Sequence, residues 1–241
     1  MKHYIDNENI IISSSDNSKK IHYICYYSTP EMIKYIIDKG VDLEAQTKYG
    51  WRPIHLICQY STPEMIKYII DKGVNLEAQT TSRWHPIHFI CHYSTPEMIK
   101  YIIDKGVNLE VEDCTSNRPI HHICRRSTPE MIKYIIDKGV NLEAEARDKL
   151  RPIHYICTCS TPEMIKYIID KGVDLEVETD NKWRPIHFIC EKSTPEMIKY
   201  IIDKGVKLNC VNNENKKPLY YLLINHQATP EIIQYMINKM D

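Results

Sequence analysis

The segment Ser-Thr-Pro-Glu-Met-Ile-Lys-Tyr-Ile-Ile-Asp-Lys-Gly recurs unchanged at Ser28, Ser61, Ser94, Ser127, Ser160 and Ser193, each copy 33 residues after the last. A degenerate seventh copy, Ala-Thr-Pro-Glu-Ile-Ile-Gln-Tyr-Met-Ile-Asn-Lys-Met, begins at Ala228. A fixed period of this length specifies supersecondary units that bury their apolar faces against one another, not a globule folded around one pocket. One extended array is expected, even though 241 residues would suffice for two ordinary domains.

Charge and cysteine usage narrow the surroundings. The net charge is −1, so no global field draws the chain to nucleic acid or to a membrane. The apolar runs reach six residues at most, far short of the roughly 20 of a membrane span. Met1-Lys2-His3 opens no apolar signal core, so secretion is not expected. Six of the nine cysteines, Cys25, Cys58, Cys91, Cys124, Cys157 and Cys190, fall one per repeat at the same place. Equivalent positions on packed helices lie about 8–10 Å apart, beyond disulfide reach. Buried thiols in a reducing compartment follow, hence a cytoplasmic location, that of the host if the gene is viral. The wealth of Ile, Lys, Asn and Tyr suits an AT-rich genome of a protist or large DNA virus.

Within one unit, Pro53-Ile54-His55-Leu56-Ile57-Cys58 reads as a first helix opened by a proline at its first turn. Thr62 is a good N-cap, Pro63 takes the first position of the second helix, and Glu64 sets negative charge at its positive end. Met65, Ile66, Ile69 and Ile70 give that helix a wide apolar arc, suited to packing on both sides. Gly73 supplies a left-handed C-terminal cap, and a variable projecting finger returns the chain to the next Pro-Ile-His.

Pro-Ile-His, the Pro-Glu-Met-Ile-Lys-Tyr-Ile-Ile helix, Lys-Gly-Val-Asn-Leu and the period together resemble the ankyrin repeat, over roughly residues 14–241. The resemblance implies an all-α repeat solenoid, a helix-turn-helix stack with β-hairpin-like finger loops. Three departures stand out. The family's threonine before Pro-Leu-His is Arg52, His85, Arg118, Arg151, Arg184 or Lys217, which removes a hydroxyl–histidine bond and installs a row of cations. The family's asparagine after Val/Leu is Glu44, Glu77, Glu110, Glu143 or Glu176, with Asn209 matching. The turn glycine survives at Gly50 alone, with Arg83, Ser116, Lys149, Lys182 and Asn215 elsewhere, so altered or mobile finger tips are expected.

A stack exposes apolar faces at its ends unless the terminal units are polar. Lys207, Asn209, Asn212, Asn213, Asn215, Gln234 and Asn238 make the last of seven units read as a polar cap. Residues 1–13 read as a leader or a half-repeat.

His-x-x-Cys recurs in six copies from His22/Cys25 to His187/Cys190. A tetrahedral zinc site needs four ligands around one ion, and a rung of such a ladder supplies two. The structural reading is a turn-holding histidine and a core cysteine. The same repetition argues against a thiol nucleophile, since an active site breaks repeat symmetry. There is no glycine-rich phosphate loop and no His-Glu-x-x-His. Neither cofactor nor metal nor catalysis is expected. Glu64 and Lys67, with their copies, read as solvated helix-surface pairs. Cys114, Cys159 and Cys210 fall outside the period.

Variation concentrates in the fingers and in the two residues ending each first helix. In ankyrin arrays these places line the concave groove, so the resemblance implies a partner-binding face there. Tyr27, Tyr60, His92, Tyr93, Arg125 and Arg126 are the helix-end candidates, and Tyr49, Trp51, Trp84 and Trp183 the finger candidates. Tyr, Trp and Arg anchor interfaces because they bury large area with few rotors. The tryptophans recur at one repeat position, so packing between fingers is their alternative. The expected function is a monomeric, non-enzymatic module that binds a protein or peptide. Arg125 and Arg126 would select an acidic or phosphorylated segment. A self-associating structural scaffold is the rival.

Overall fold

The computed structural model describes residues 17–240. The expected leader or half-repeat at 1–13 lies outside the described residues. The chain divides into two compact units, residues 1–108 and 109–241. Among the described residues the regular structure is helical, with no strand.

The first unit holds three hairpins. They are α1 (Asn17–Tyr27) with α2 (Pro30–Asp38), α3 (Pro53–Tyr60) with α4 (Pro63–Asp71), and α5 (Pro86–Tyr93) with α6 (Pro96–Asp104). The second holds four: α7 (Pro119–Arg126) with α8 (Pro129–Asp137), α9 (Pro152–Cys159) with α10 (Pro162–Asp170), α11 (Pro185–Lys192) with α12 (Pro195–Asp203), and α13 (Pro218–Ile224) with α14 (Pro230–Asn238). First helices stack on first helices: α1, α3 and α5 in one unit, α7, α9, α11 and α13 in the other.

Local chemistry sets the hairpin ends. The Thr62 hydroxyl accepts from the Met65 amide at 3.3 Å, Pro63 opens α4, and the same cap recurs at Thr29, Thr95, Thr128, Thr161 and Thr194. Gly73, at φ +78°, ends the helix in the left-handed region, where a Cβ would be strained although nothing crowds the position. Met65, Ile66, Ile69 and Ile70 of α4 and Ile54, Ile57 and Cys58 of α3 are buried, and their counterparts form the core of the other hairpins. Full burial of one such aliphatic side chain stabilises by about 1.5–3 kcal/mol.

The fingers keep their turn without glycine. Arg83, Ser116, Lys149, Lys182 and Asn215 all adopt φ between +55° and +58°, the conformation Gly50 holds at +72°. The alteration expected at the tips occurs in one finger, where Arg147–Lys149 form a 3₁₀ turn and Asp148 also has positive φ, at 62°. Each turn closes on itself, as Thr80 N–H does to Trp84 O at 3.0 Å, and adjacent fingers join through single amide bonds. Thr81 N–H donates to Tyr49 O in the first unit; Arg147 to Thr115, Asp180 to Asp148 and Asn213 to Asn181 do so in the second. Gly50 is where that approach is tightest, because a Cβ there would meet Gln79 O at 3.1 Å.

Two of the departures from the ankyrin pattern answer each other. One carboxylate oxygen of Glu44 accepts from the Asn75 amide 31 residues on (2.9 Å), and the other pairs with Arg52. Glu110 does the same with Asn141 N–H and Arg118, Glu143 with Asp174 N–H and Arg151, and Glu176 with Lys207 N–H and Arg184. In the second unit a further glutamate completes each guanidinium: Glu112 at 3.1 Å from Arg118, and Glu145 and Glu178 at 2.7 Å from Arg151 and Arg184. The row of cations is thus a row of clamped arginines tying each finger to its neighbour. The histidine retains a partner despite the missing hydroxyl. The backbone N–H of Arg52 donates to His55 Nδ1 at 2.9 Å, so Nε2 carries the proton and donates to the Ala78 carbonyl at 3.0 Å.

Glu64 and Lys67 are exposed on the second helices, where a side-chain ladder gives the lysine a further partner. Lys67 lies over the ring of Tyr101 on the next hairpin, 5.0 Å from its centroid, as Lys34 lies over Tyr68. Tyr101 also donates to Asp71 (2.6 Å), and Lys105 donates to the same oxygen (3.0 Å) while resting over Tyr101. Tyr167 with Asp137 and Lys171, and Tyr200 with Asp170 and Lys204, repeat this in the second unit. A tyrosine face on the neighbouring hairpin offers the ammonium more than a solvated carboxylate three residues away.

Candidate protein-binding surface

Burial decides which thiols and imidazoles are structural. All nine cysteines are free, and the six periodic ones are buried; burial pushes Cys25 up to about 12 and the others higher. Burial also pulls His55, His121 and His154 down to about 4, against the opposing pull of their carbonyl partners. With Nδ1 accepting an amide and Nε2 donating to a carbonyl, His55, His121 and His154 have no ring nitrogen left for a ligand. Among the described residues no group of three His, Cys, Asp or Glu gathers to hold a metal ion.

The helix-end candidates of the first unit lie together and open. Tyr27, Tyr60 and Tyr93 end α1, α3 and α5 and are exposed. Tyr26 meets Tyr27 and Tyr60 edge-on, with centroids 4.5 and 4.7 Å apart, and Tyr23 packs on Tyr27. Partial burial, then the phenols of Tyr26 and Tyr93, push the Tyr60 hydroxyl up. His92 lies against Tyr93 (4.4 Å) and against Trp84 (5.8 Å), linking helix end to finger.

The tryptophans are less available. Trp51 and Trp84 are half-buried and sandwich Phe89, at 5.1 and 4.9 Å. Trp183, also half-buried, packs on Phe188 at 4.8 Å and Tyr221 at 4.5 Å. Each gives one face to interior rings and leaves part of the other outside. Tyr49 is exposed at a finger tip under the Lys48 ammonium.

In the second unit Arg125 and Arg126 end α7, exposed, with no carboxylate in ion-pair reach among the described residues. The clamped Arg118, Arg151 and Arg184 are their opposites. The second unit also holds a buried pair outside the expected candidates. Asp113 is buried and receives Thr115 N–H, Thr115 Oγ1, Asn117 N–H and, at 3.3 Å, His122 Nε2. Burial raises its carboxyl, but the bonds from His122, Thr115 and Asn117 outweigh that and hold it well below the usual carboxylate range. The signal was present: Asp113 replaces the Thr47 and Thr80 of other fingers, and His122 replaces the Leu56 and Phe89 of other helices. Asn212 and Tyr221, bonded at 2.6 Å, hold the same two places in the last hairpin.

Hairpins stacked first helix on first helix, with hydrogen-bonded fingers, define a helical-repeat protein. The family described as ankyrin repeats (three copies) matches residues 21–113, 64–146, 87–179 and 153–241, and the chain belongs to it. Ankyrin repeats are in general protein-interaction modules and are typically non-enzymatic. Among solved structures, the human ASB11 ankyrin repeat domain aligns with a TM-score of 0.69 at 19% identity, covering 91% of this chain and 96% of that one. At that identity the likeness speaks for the fold alone. No curated protein sequence matches the chain. No described helix is long and apolar enough to cross a membrane.

Proposed function

We propose that the chain is a non-catalytic module that binds a protein or peptide along its first-helix ends and fingers, the concave groove of the family. Arg125 and Arg126 of the second unit would receive an acidic or phosphorylated segment. The observation that supports this most is the contrast among arginines: those at the clamp positions are neutralised in place, whereas these two are exposed with no carboxylate in ion-pair reach among the described residues. An unpaired guanidinium fork at a surface is suited to carboxylate or phosphate oxygens. Titrating a labelled glutamate- or phosphoserine-containing peptide against wild type and Arg125→Ala/Arg126→Ala tests it. Weaker binding with a shallower salt dependence is expected, and unchanged affinity would refute the placement.

The scaffold reading draws on one feature of the last hairpin. Its polar replacements are accompanied by exposed Leu223, Ile224 and Ile237. Leu223 stands where Cys190 is buried in the preceding hairpin. A concentration-dependent mass in light scattering, abolished by Leu223→Lys, would favour self-association over the monomeric module.

A further inference from the structure

The tyrosines of this chain fall into two chemical settings. On the second helices Tyr68 and Tyr101 each carry two lysine ammoniums over the ring, Lys34 and Lys72 in one case, Lys67 and Lys105 in the other, about 5.0 Å from the centroid. On the first-helix ends Tyr26, Tyr27, Tyr60 and Tyr93 have no lysine or arginine over them among the described residues, and Tyr27 is 67% exposed, Tyr60 and Tyr93 51%. The same side chain is satisfied by cations on one side of the hairpin and left without them on the other.

The carboxylates of this region are also unmatched. Glu31, Glu64 and Glu97 lie four residues after Tyr27, Tyr60 and Tyr93, in the first turns of α2, α4 and α6. Each is held by its own amide and by the capping threonine, and among the described residues none has a lysine or arginine in ion-pair reach. Lys34 and Lys67, three residues on, are committed to Tyr68 and Tyr101. Glu130 and Glu163 of the second unit, by contrast, feel Lys133 and Lys166. The helix-end pairs of the first unit, Tyr26-Tyr27, Gln59-Tyr60 and His92-Tyr93, contain no Lys or Arg.

We infer that this tyrosine face of the first unit binds a cationic segment of a partner protein, its Lys or Arg side chains seated on the rings of Tyr27, Tyr60 and Tyr93 and offset by Glu31, Glu64 and Glu97. The assignment rests on the groove-binding reading above and adds the chemistry of the ligand in this unit, opposite in sign to that at Arg125 and Arg126. Packed helices repeat every 8–10 Å or so, and a ligand in the polyproline II conformation, with three residues per turn and a rise of about 3.1 Å per residue, returns a side chain to the same face about every 9 Å. Cations three residues apart in the ligand therefore match successive tyrosines.

The test uses the full chain and three fluorophore-labelled dodecapeptides in a Gly/Ser background, bearing Arg, Glu or Pro at every third position, read by anisotropy near physiological salt. Saturable binding of the arginine peptide is expected. It should weaken about tenfold or more in Tyr27→Ala/Tyr60→Ala/Tyr93→Ala and stay within about twofold in the corresponding Phe variant, since the ring and not the hydroxyl holds the cation. Arg125→Ala/Arg126→Ala should bind the arginine peptide as wild type does, so failure of the anionic site leaves this result readable. Absence of saturable binding, equal binding of the glutamate or proline peptide, or full binding by the alanine variant with an unchanged circular dichroism spectrum would each overturn the assignment.

Discussion

The second helices and the first-helix ends of this chain differ in whether their polar groups have partners. Along the second helices of each unit tyrosine, lysine and aspartate are engaged between adjacent hairpins, as in Tyr101 with Asp71 and Lys105, and Tyr200 with Asp170 and Lys204. At the first-helix ends Tyr27, Tyr60, Tyr93, Arg125 and Arg126 stand open. One region spends its side chains on holding copies together; the other leaves them for something outside. This difference accounts for sequence variation inside the chain, since a residue that bonds its own copy one hairpin away has little freedom, while an open one has much.

The largest perturbation should come from acid, which acts on the interior that both regions share. His55, His121 and His154 are neutral when folded, with pKa values near 4, against an ordinary 6.5. Between those values the unfolded chain binds more protons than the folded one, so stability is complete above pH 6.5 and falls as pH drops toward 4. Each histidine contributes on the order of 2 kcal/mol. Urea midpoints at pH 7.5 and pH 4.5 check this, and a midpoint that did not fall would contradict the buried neutral tautomer. Next comes Ile69→Ala, which hollows a fully buried position on α4 and should lower stability by roughly 2–5 kcal/mol in the same measurement. Gly50→Ala should cost about 1–2 kcal/mol, because it combines positive φ with the 3.1 Å approach to Gln79 O.

Two smaller changes bear on the comparison directly. Asp170→Ala removes the acceptor of both Tyr200 and Lys204, and a small fall in Tm that shrinks further in high salt is expected. Tyr60→Ala should lower stability by about 1 kcal/mol or less in the same measurement, since half of the side chain is exposed and its contact in the fold is the edge of Tyr26. A Tyr60→Ala loss as large as that of Ile69→Ala would erase the distinction between the two regions.

Much of the hairpin was legible from residues whose roles are local. Thr62, Pro63 and Gly73 mark the ends of α4 within a turn of chain, and the helix falls between them. Contacts that span hairpins were not legible in the same way. Arg52 and Glu44 are eight residues apart across a finger, and read singly they are two unrelated departures from a family pattern; the fold brings them into one ion pair. Helical spacing puts Lys67 near Glu64 but does not show that Tyr101, on the next copy, is its further partner. Asp113 and His122 needed the finger folded against α7 before their pairing could be seen. The open helix ends were visible as variable positions, but only burial separates free Tyr60 from Trp84, half-covered against Phe89.

The glutamate clamp has an evolutionary consequence. Glu143 grips Asp174 N–H and Arg151 as Glu110 grips Asn141 N–H and Arg118, so the hairpins that carry this pair present the same plug to a successor and the same socket to a predecessor. Duplication or loss of a whole 33-residue copy among them would leave the glutamate clamp chemically complete. The gene can thus lengthen or shorten its reach by unequal crossover without re-optimising that clamp, while point mutation edits the exposed tips one at a time.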